Sequence, residues 1–324
     1  MHRRDFVKLA ALVALLPGEL AGCFGIGEEQ GVSRAPAVVA SAEAAEPAKP
    51  LPAMAVAYGK GAGALLDTGL AAMGGLKRFV SRGARVVIKA NFSMPREPKV
   101  AANTDPQLVA ELVRRCLKAG ASTVTVVDHP ASNSAICLQL TGIRKAVEAV
   151  GGKVRTLDQL TREDYVKVTL KGPTLTSAYY SRAALEADLL INFPILKHHA
   201  STKVTIGLKN LMGLVWDRQV MHRTDLERTI AELAAFKQPH LTVLDATRGL
   251  VDHGPMGPGT VKEWNRVVFS TRMLELDAYG AQLFGLKPAA VDHLRIAAEL
   301  GVGTLDWAAL KPVWARVPEP VAKG

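Results

Sequence analysis

The sequence predicts an α/β protein built on a mainly parallel, doubly wound sheet with helices on both faces. Three observations predict it. Short runs rich in Val, Ile and Leu alternate with stretches of helical length from Met54 to Leu300. Four of these runs end in polar side chains: Lys89 with Asn91, Asp128 with His129, Lys197, and Asp245. Of the 324 residues, those from 53 onward suffice for one large core or for two subdomains.

The series opens with a strand over 54–57, then a helix over 64–80 in which apolar residues recur at helical spacing. Arg85-Val86-Val87-Ile88-Lys89 is a β-branched run and reads as a buried strand. Thr104-Asp105-Pro106 opens the helix over 106–119, with Thr104 or Asp105 as cap and proline in the first turn. A strand over 123–128, helices across 135–150 and a strand over 154–157 continue the alternation. Two strands follow over 165–170 and 175–181, then a short helix from Arg182. The next strand, 189–193, is stopped by Pro194. A helix over 226–236, strands over 241–246 and 266–270, and helices over 275–284 and 289–300 complete the series.

The amino terminus carries targeting features rather than fold. Arg3-Arg4-Asp5-Phe6-Val7-Lys8 resembles a twin-arginine export signal, and the apolar stretch after it is too short to span a bilayer. Leu20-Ala21-Gly22-Cys23 resembles a lipobox, with Cys23 as the acylated lipid anchor; cleavage near Ala42 is the alternative. Residues 1–22 then form the signal peptide, 23–52 a flexible tether rich in Ala, Pro, Gly and Glu, and 53–324 the α/β domain. This reading places the protein in the periplasm or cell envelope, held to the membrane through Cys23.

A net charge of +10 favours anionic partners, small acidic molecules and lipid headgroups among them. Nucleic acid is not expected, because no basic module interleaved with aromatic residues occurs. Cys116 and Cys137 both fall on expected helices, and their pairing stays open. There is no iron-sulfur or zinc cysteine spacing, no glycine-rich phosphate loop of the Walker or dinucleotide type and no Gly-x-Ser-x-Gly elbow, so no cofactor is identified.

Chemistry concentrates between Lys197 and Arg223. There Lys197, His198, His199, Lys203, Lys209, Arg218, His222 and Arg223 face only one acid, Asp217, amid apolar and small residues. Buried cations are costly unless paired, so distant acids of the chain or an anionic ligand must supply the counter-charge. In a parallel sheet the carboxyl ends of the strands share one edge, where ligands bind. Lys89, Asn91, Asp128, Lys197, His199, Lys209 and Asp245 are therefore expected at one pocket. Lys89, Lys197 and Lys209 would neutralise a phosphate or carboxylate, with one of the three, its pKa lowered by desolvation, as base or imine-forming amine; His199 and His222 are candidate proton carriers. Asp245 or Asp277 would orient a histidine or offset the lysines. Asn210 and Arg218 complete the candidate ligand contacts, and Gly207 and Gly213 would allow close backbone approach. His198, His199, His222, His253, Asp245 and Asp252 are of metal-ligand type, but their spacing matches no metal motif, so no metal site is assigned. The glycine- and proline-rich segment 252–259 reads as a loop, or as a lid over the strand ends.

An ordered series of motifs resembles the domain of unknown function 362 family. It comprises Val86-Val87-Ile88-Lys89-Ala90-Asn91-Phe92, Thr104-Asp105-Pro106, Ile191-Asn192-Phe193-Pro194-Ile195-Leu196-Lys197-His198-His199, and Gly207-Leu208-Lys209-Asn210-Leu211-Met212-Gly213-Leu214. Arg218 with His222, Leu244-Asp245-Ala246 and Leu276-Asp277-Ala278 follow. Two departures stand out: Ala90 where the family has proline, and Ile195 where it has the first lysine of its second motif. The resemblance leaves Lys89, Lys197, His199 and Lys209 as matched positions. Members often carry an iron-sulfur ferredoxin module, whose cysteine motif this chain lacks.

Three classes of function fit these features. One is an exported enzyme acting on an anionic small molecule or cofactor. Another is a non-catalytic ligand-binding or redox-accessory lipoprotein with a redox partner. The last is an envelope protein whose basic face meets anionic lipid.

Overall fold

Alternation of apolar side chains decides which way each strand faces. In the computed structural model, which describes residues 51–158 and 162–319, twelve strands and ten α-helices occur among the described residues. Val86 and Ile88 pack on one face of the sheet and Val87 on the other. Leu189 and Ile191 against Leu190, and Val267 and Phe269 against Val268, repeat the pattern. Each face therefore needs its own cover, and helices supply it on both sides.

In chain order the elements are β1 (Met54–Tyr58), α1 (Ala62–Ala72), β2 (Arg85–Lys89), α2 (Pro106–Ala119), β3 (Thr123–Asp128), α3 (Ser134–Thr141), α4 (Ile143–Glu148) and β4 (Lys153–Thr156). There follow β5 (Tyr165–Thr169), β6 (Ser177–Ser181), α5 (Arg182–Leu185), β7 (Leu189–Asn192), β8 (Lys197–His199), β9 (Lys203–Thr205), α6 (Gly207–Asn210), α7 (Arg218–Arg223) and α8 (Leu226–Phe236). The series ends with β10 (Leu241–Leu250), β11 (Val261–Ser270), α9 (Met273–Leu283), α10 (Asp292–Glu299) and β12 (Val313–Arg316).

The eight-stranded sheet has the order β12-β1-β11-β10-β7-β2-β3-β4. From β10 to β4 all neighbours run parallel, while β11 lies antiparallel to both β10 and β1. The mainly parallel α/β expectation is met. Helices α1, α2 and α4 cover one face, and α8, α9 and α10 cover the other. Two small hairpins, β5-β6 and β8-β9, lie outside the main sheet.

Several expected boundaries move, each for a local reason. The helix expected over 64–80 stops at Ala72, because Gly74 and Gly75 adopt φ +88° and +87°, and only a 3-10 turn over Leu76–Arg78 follows. Gly142, at φ +68°, divides the helical stretch after β3 into α3 and α4. Helix α10 starts at Asp292, three residues later than expected, because Pro288–Ala290 forms a separate 3-10 turn. Strands β10 and β11 run well past the apolar cores expected at 241–246 and 266–270, because their outer halves pair with each other beyond a register shift between Ala246 and Arg248. Hairpin β8-β9, helices α6 and α7 and edge strand β12 carry no periodicity that reveals them in the sequence. Cys116 and Cys137 are free, buried thiols.

Close packing of helix on sheet is clearest at Gly69 in α1. A Cβ there would lie 1.9 Å from ring atom Cε2 of Phe269. Gly69→Ala is expected to cost about 1–3 kcal/mol through overpacking, read as a lower midpoint of urea unfolding with unchanged slope.

The signal peptide, the acylated Cys23 and the tether up to residue 50 lie outside the described residues. None of the helices among the described residues is long and apolar enough to cross a membrane.

Candidate functional site

Parallel strands β2, β3 and β7 deliver Lys89, Asp128 and Asn192 to the same edge of the sheet, with Lys89 opposite both Val127 and Asn192 in register. Beyond that edge, the chain turns through hairpin β8-β9 into α6. This return folds Lys197, His199, Lys209 and Asn210 back over the strand ends. The resulting cleft encloses about 600 Å³ with its open mouth. Its walls include Lys89, Asn91, Asp128, Lys197, His199, Lys209, Asn210, Arg218 and His222, so these expected site residues do meet.

An ion pair forms the floor. Lys89 Nζ lies 2.8 Å from Asp128 Oδ1, and both side chains are 1% exposed. The same ammonium donates to Asn210 Oδ1 at 3.0 Å and to the carbonyl of Ala90. Asp128 in turn accepts the N–H groups of Phe92 and His129 and the hydroxyl of Ser93, each at 2.8 Å. Burial pushes the Asp128 carboxyl up, but Lys89, the Phe92 N–H and Arg218 together hold it below its ordinary value. For Lys89 burial prevails over the attraction of Asp128, and its pKa falls.

Asn210 links three segments. Its carbonyl accepts from Lys89 and from Asn91 Nδ2 at 3.1 Å, and its amide donates to Lys89 O at 3.1 Å and to Asn192 Oδ1 at 2.8 Å. Asn192 closes the loop by donating to Gly207 O at 2.9 Å. Asn192 is a cleft-edge residue that the sequence does not assign, although an amide ending the apolar run Leu189-Leu190-Ile191 signals it. Ser93, Thr205, Met212, Gln219 and Pro255 also line the cleft and had no such signal.

The remaining cations differ in how fully they are held. Lys197 donates to the carbonyl of Ala102, to Pro255 O at 3.2 Å and to Asn91 Oδ1 at 3.4 Å. Burial, opposed by Asp128 and reinforced by Lys209 and Lys89, draws its pKa to about 7. Arg218 spans to the carbonyls of His129 and of Pro130, the latter at 2.7 Å, which leaves most of its five N–H groups uncommitted. Lys209, 7% exposed, has Met212 Sδ at 3.5 Å as its hydrogen-bond partner among the described residues. Burial, with Arg218 adding repulsion and Glu227 offsetting part of it, lowers its pKa to about 8.

Two histidines on the cleft wall, His199 and His222, are driven toward the neutral form. His199 is pushed down to about 2, chiefly by burial and then by Lys209, Lys197, His222 and His198. His222 is exposed and also lowered, by partial burial and by Lys209 and Arg218. Strand alternation sends His198 the other way, where its Nδ1 accepts the N–H of Gly254 at 3.0 Å and seats the 252–259 loop. That loop reaches the cleft through Pro255, as expected of a segment over the strand ends.

Two expected members of the site lie elsewhere. Asp245 falls inside β10 rather than at its end, because the strand continues to Leu250. Fully buried, it accepts the N–H of Asp105 at 2.9 Å and the hydroxyl of Thr247 at 2.6 Å, which ties β10 to the start of α2. Burial raises its pKa despite Arg248. Asp277, on α9, accepts the N–H groups of Gly207 and Leu208, both at 2.8 Å, and so fixes the start of α6. Burial lifts it to about 8 against the pull of those two donors. Both aspartates position backbone and neither lines the cleft. Among the described residues no group of three His, Cys, Asp or Glu side chains is arranged to hold a metal ion.

Among known proteins, a thylakoid-associated protein of Synechocystis sp. is 28% identical over 254 residues, which is 74% of this chain and 75% of its own length. The lactate racemase apoprotein from Thermoanaerobacterium thermosaccharolyticum superposes with a TM-score of 0.45 at 14% identity, over 71% of this chain and 56% of that one. That likeness says nothing of activity. The profile of the family described as Domain of unknown function (DUF362) matches residues 86–282 and so spans both halves of the cleft, from Lys89 to His222. With more than half of its length matched, the protein belongs to the Domain of unknown function (DUF362) family.

Proposed function

We propose that the cleft binds a small carboxylate- or phosphate-bearing molecule and that the protein is an enzyme acting on it. One observation carries the reading: Lys89, Lys197, Lys209 and Arg218 line the cleft, and Asp128 is the one carboxylate among its lining residues. A surplus of cations with low-dielectric walls attracts and holds negative charge. Lys209, with a pKa lowered to about 8, and His222 on the same wall favour proton transfer over passive storage, whereas His199, pushed down to about 2, serves as a neutral hydrogen-bonding group.

Location is part of the proposal. The twin-arginine and lipobox resemblances, with Cys23 as lipid anchor, support an exported protein held to the envelope membrane. The thylakoid association of the similar Synechocystis protein supports a membrane setting of the same kind.

Calorimetric titration of the full chain with inorganic phosphate and with short carboxylates tests the proposal. Saturable binding at one site is expected, and Arg218→Ala should weaken it about tenfold to a hundredfold, the worth of a charge-assisted hydrogen bond. Consumption of a bound carboxylate would establish the enzyme; saturable capture without consumption would instead support a ligand-binding lipoprotein. Binding that ignores Arg218→Ala, and follows only ionic strength and the charge of added vesicles, would reject the cleft and favour a lipid-facing basic surface.

A further inference from the structure

The four cations of the cleft are not equivalent. Lys89 directs its ammonium to three oxygens, those of Asp128, Asn210 and Ala90. Lys197 also faces three oxygens, on Ala102, Pro255 and Asn91. Both nitrogens are tied to oxygens on three sides; the Lys197 pKa, about 7, is as low as that of Lys209, so this tethering and not protonation sets Lys197 apart. Lys209 is different: it is buried, it lines the cleft, and a thioether at 3.5 Å is its hydrogen-bond partner among the described residues. Among the described residues this amine has no oxygen acceptor, and the attraction of Glu227 only partly offsets the burial that favours its neutral form.

Resting on the anion-binding reading above, we infer that Lys209 is a nucleophile that condenses with the carbonyl of a bound 2-oxo carboxylate. The substrate class follows from the neighbours. Arg218 keeps uncommitted N–H groups for a carboxylate, and Lys209 supplies the amine for a carbonyl beside it. The nitrogen lone pair forms the C–N bond while the carbonyl π pair moves to oxygen. Neutral His222, on the wall of the same cleft, carries the proton from nitrogen to that oxygen. His222 then passes the remaining nitrogen proton to the hydroxyl, which leaves as water while the nitrogen lone pair closes the C=N bond. One water is released and no oxidant or reductant is consumed. The lowered pKa of Lys209, about 8, supplies free amine near neutral pH.

The test uses the full chain, pyruvate as probe and sodium cyanoborohydride to reduce any imine, at about pH 8 where the Lys209 amine is half free. Peptide mapping should find Lys209 labelled about tenfold or more faster than exposed Lys77 and Lys118, which lie outside the cleft. Excess inorganic phosphate should suppress that label, and Lys209→Arg should abolish it while pyruvate still binds. Labelling of Lys209 no faster than that of Lys77 and Lys118, with pyruvate still displacing phosphate in calorimetry, would overturn the imine and leave the anion site standing. Failure of both anions to bind would overturn the two together. Should Lys209→Arg not fold, phosphate competition on the unsubstituted protein decides the matter.

Discussion

Asp128→Ala is expected to cost about 3–5 kcal/mol of folding stability, because it leaves a buried charge without its partner. Asp128 is 0% exposed and Lys89 1% exposed, so in the folded protein the ammonium depends on this carboxylate rather than on bulk water for its counter-charge. The Phe92 N–H, the Ser93 hydroxyl and the His129 N–H lose their acceptor at the same time. Urea unfolding should show the loss as a lower midpoint. Adding Lys89→Met to Asp128→Ala should recover part of it, since removing both charges of a buried pair costs less than removing one. A double variant as unstable as the sum of the singles would show that the pair contributes nothing.

The same pair sets a pH dependence. The folded-state pKa of Asp128 is below its ordinary value, so its contribution is fully present above the unfolded carboxylate pKa of about 4. It is lost as pH falls through the lower, folded value. Stability of the unsubstituted protein should therefore decline below about pH 4 with a component that Asp128→Ala lacks. Parallel acid profiles for the two proteins would remove Asp128 as a cause.

Gly213→Ala is expected to be destabilising by about 2–3 kcal/mol and to weaken anion binding, against the usual direction of a glycine-to-alanine change. A Cβ at this position would lie 2.3 Å from Asp128 Oδ1 and 2.5 Å from Lys89 Cε. Both neighbours are buried and held by several hydrogen bonds, so neither can retreat. Gly213 has no positive φ, which leaves the collision as the cause rather than the backbone. Since Asp128→Ala removes the closest of these atoms, the two changes together should cost less than their sum. Strict additivity in unfolding free energy, or a Gly213→Ala protein as stable as the unsubstituted one, would contradict this account.

Much of the fold was legible because its signals are local. Val86-Val87-Ile88 and Leu189-Leu190-Ile191 are long enough apolar runs to be strands wherever they sit, and Asp105-Pro106 marks a helix start without reference to anything distant. The basic residues between Lys197 and Arg223 were legible for a different reason: cations among apolar neighbours announce burial and a missing counter-charge. Asp245, after an apolar run, and Asp277, within a helix, misled because an aspartate reads the same whether it faces a cleft or holds a backbone N–H.

Sequence by itself determined the α/β class, the strand ends that carry Lys89 and Asp128, and the identity of the cations, since periodicity and charge are properties of neighbouring residues. Tertiary structure alone decided that, among the described residues, Lys89 is paired with Asp128, Lys197 meets three oxygens, Arg218 bonds two carbonyls and Lys209 has a thioether as its hydrogen-bond partner. Those differences depend on oxygens contributed from up to 121 positions away in the chain, as between Lys89 and Asn210, and no local pattern encodes which ammonium they reach.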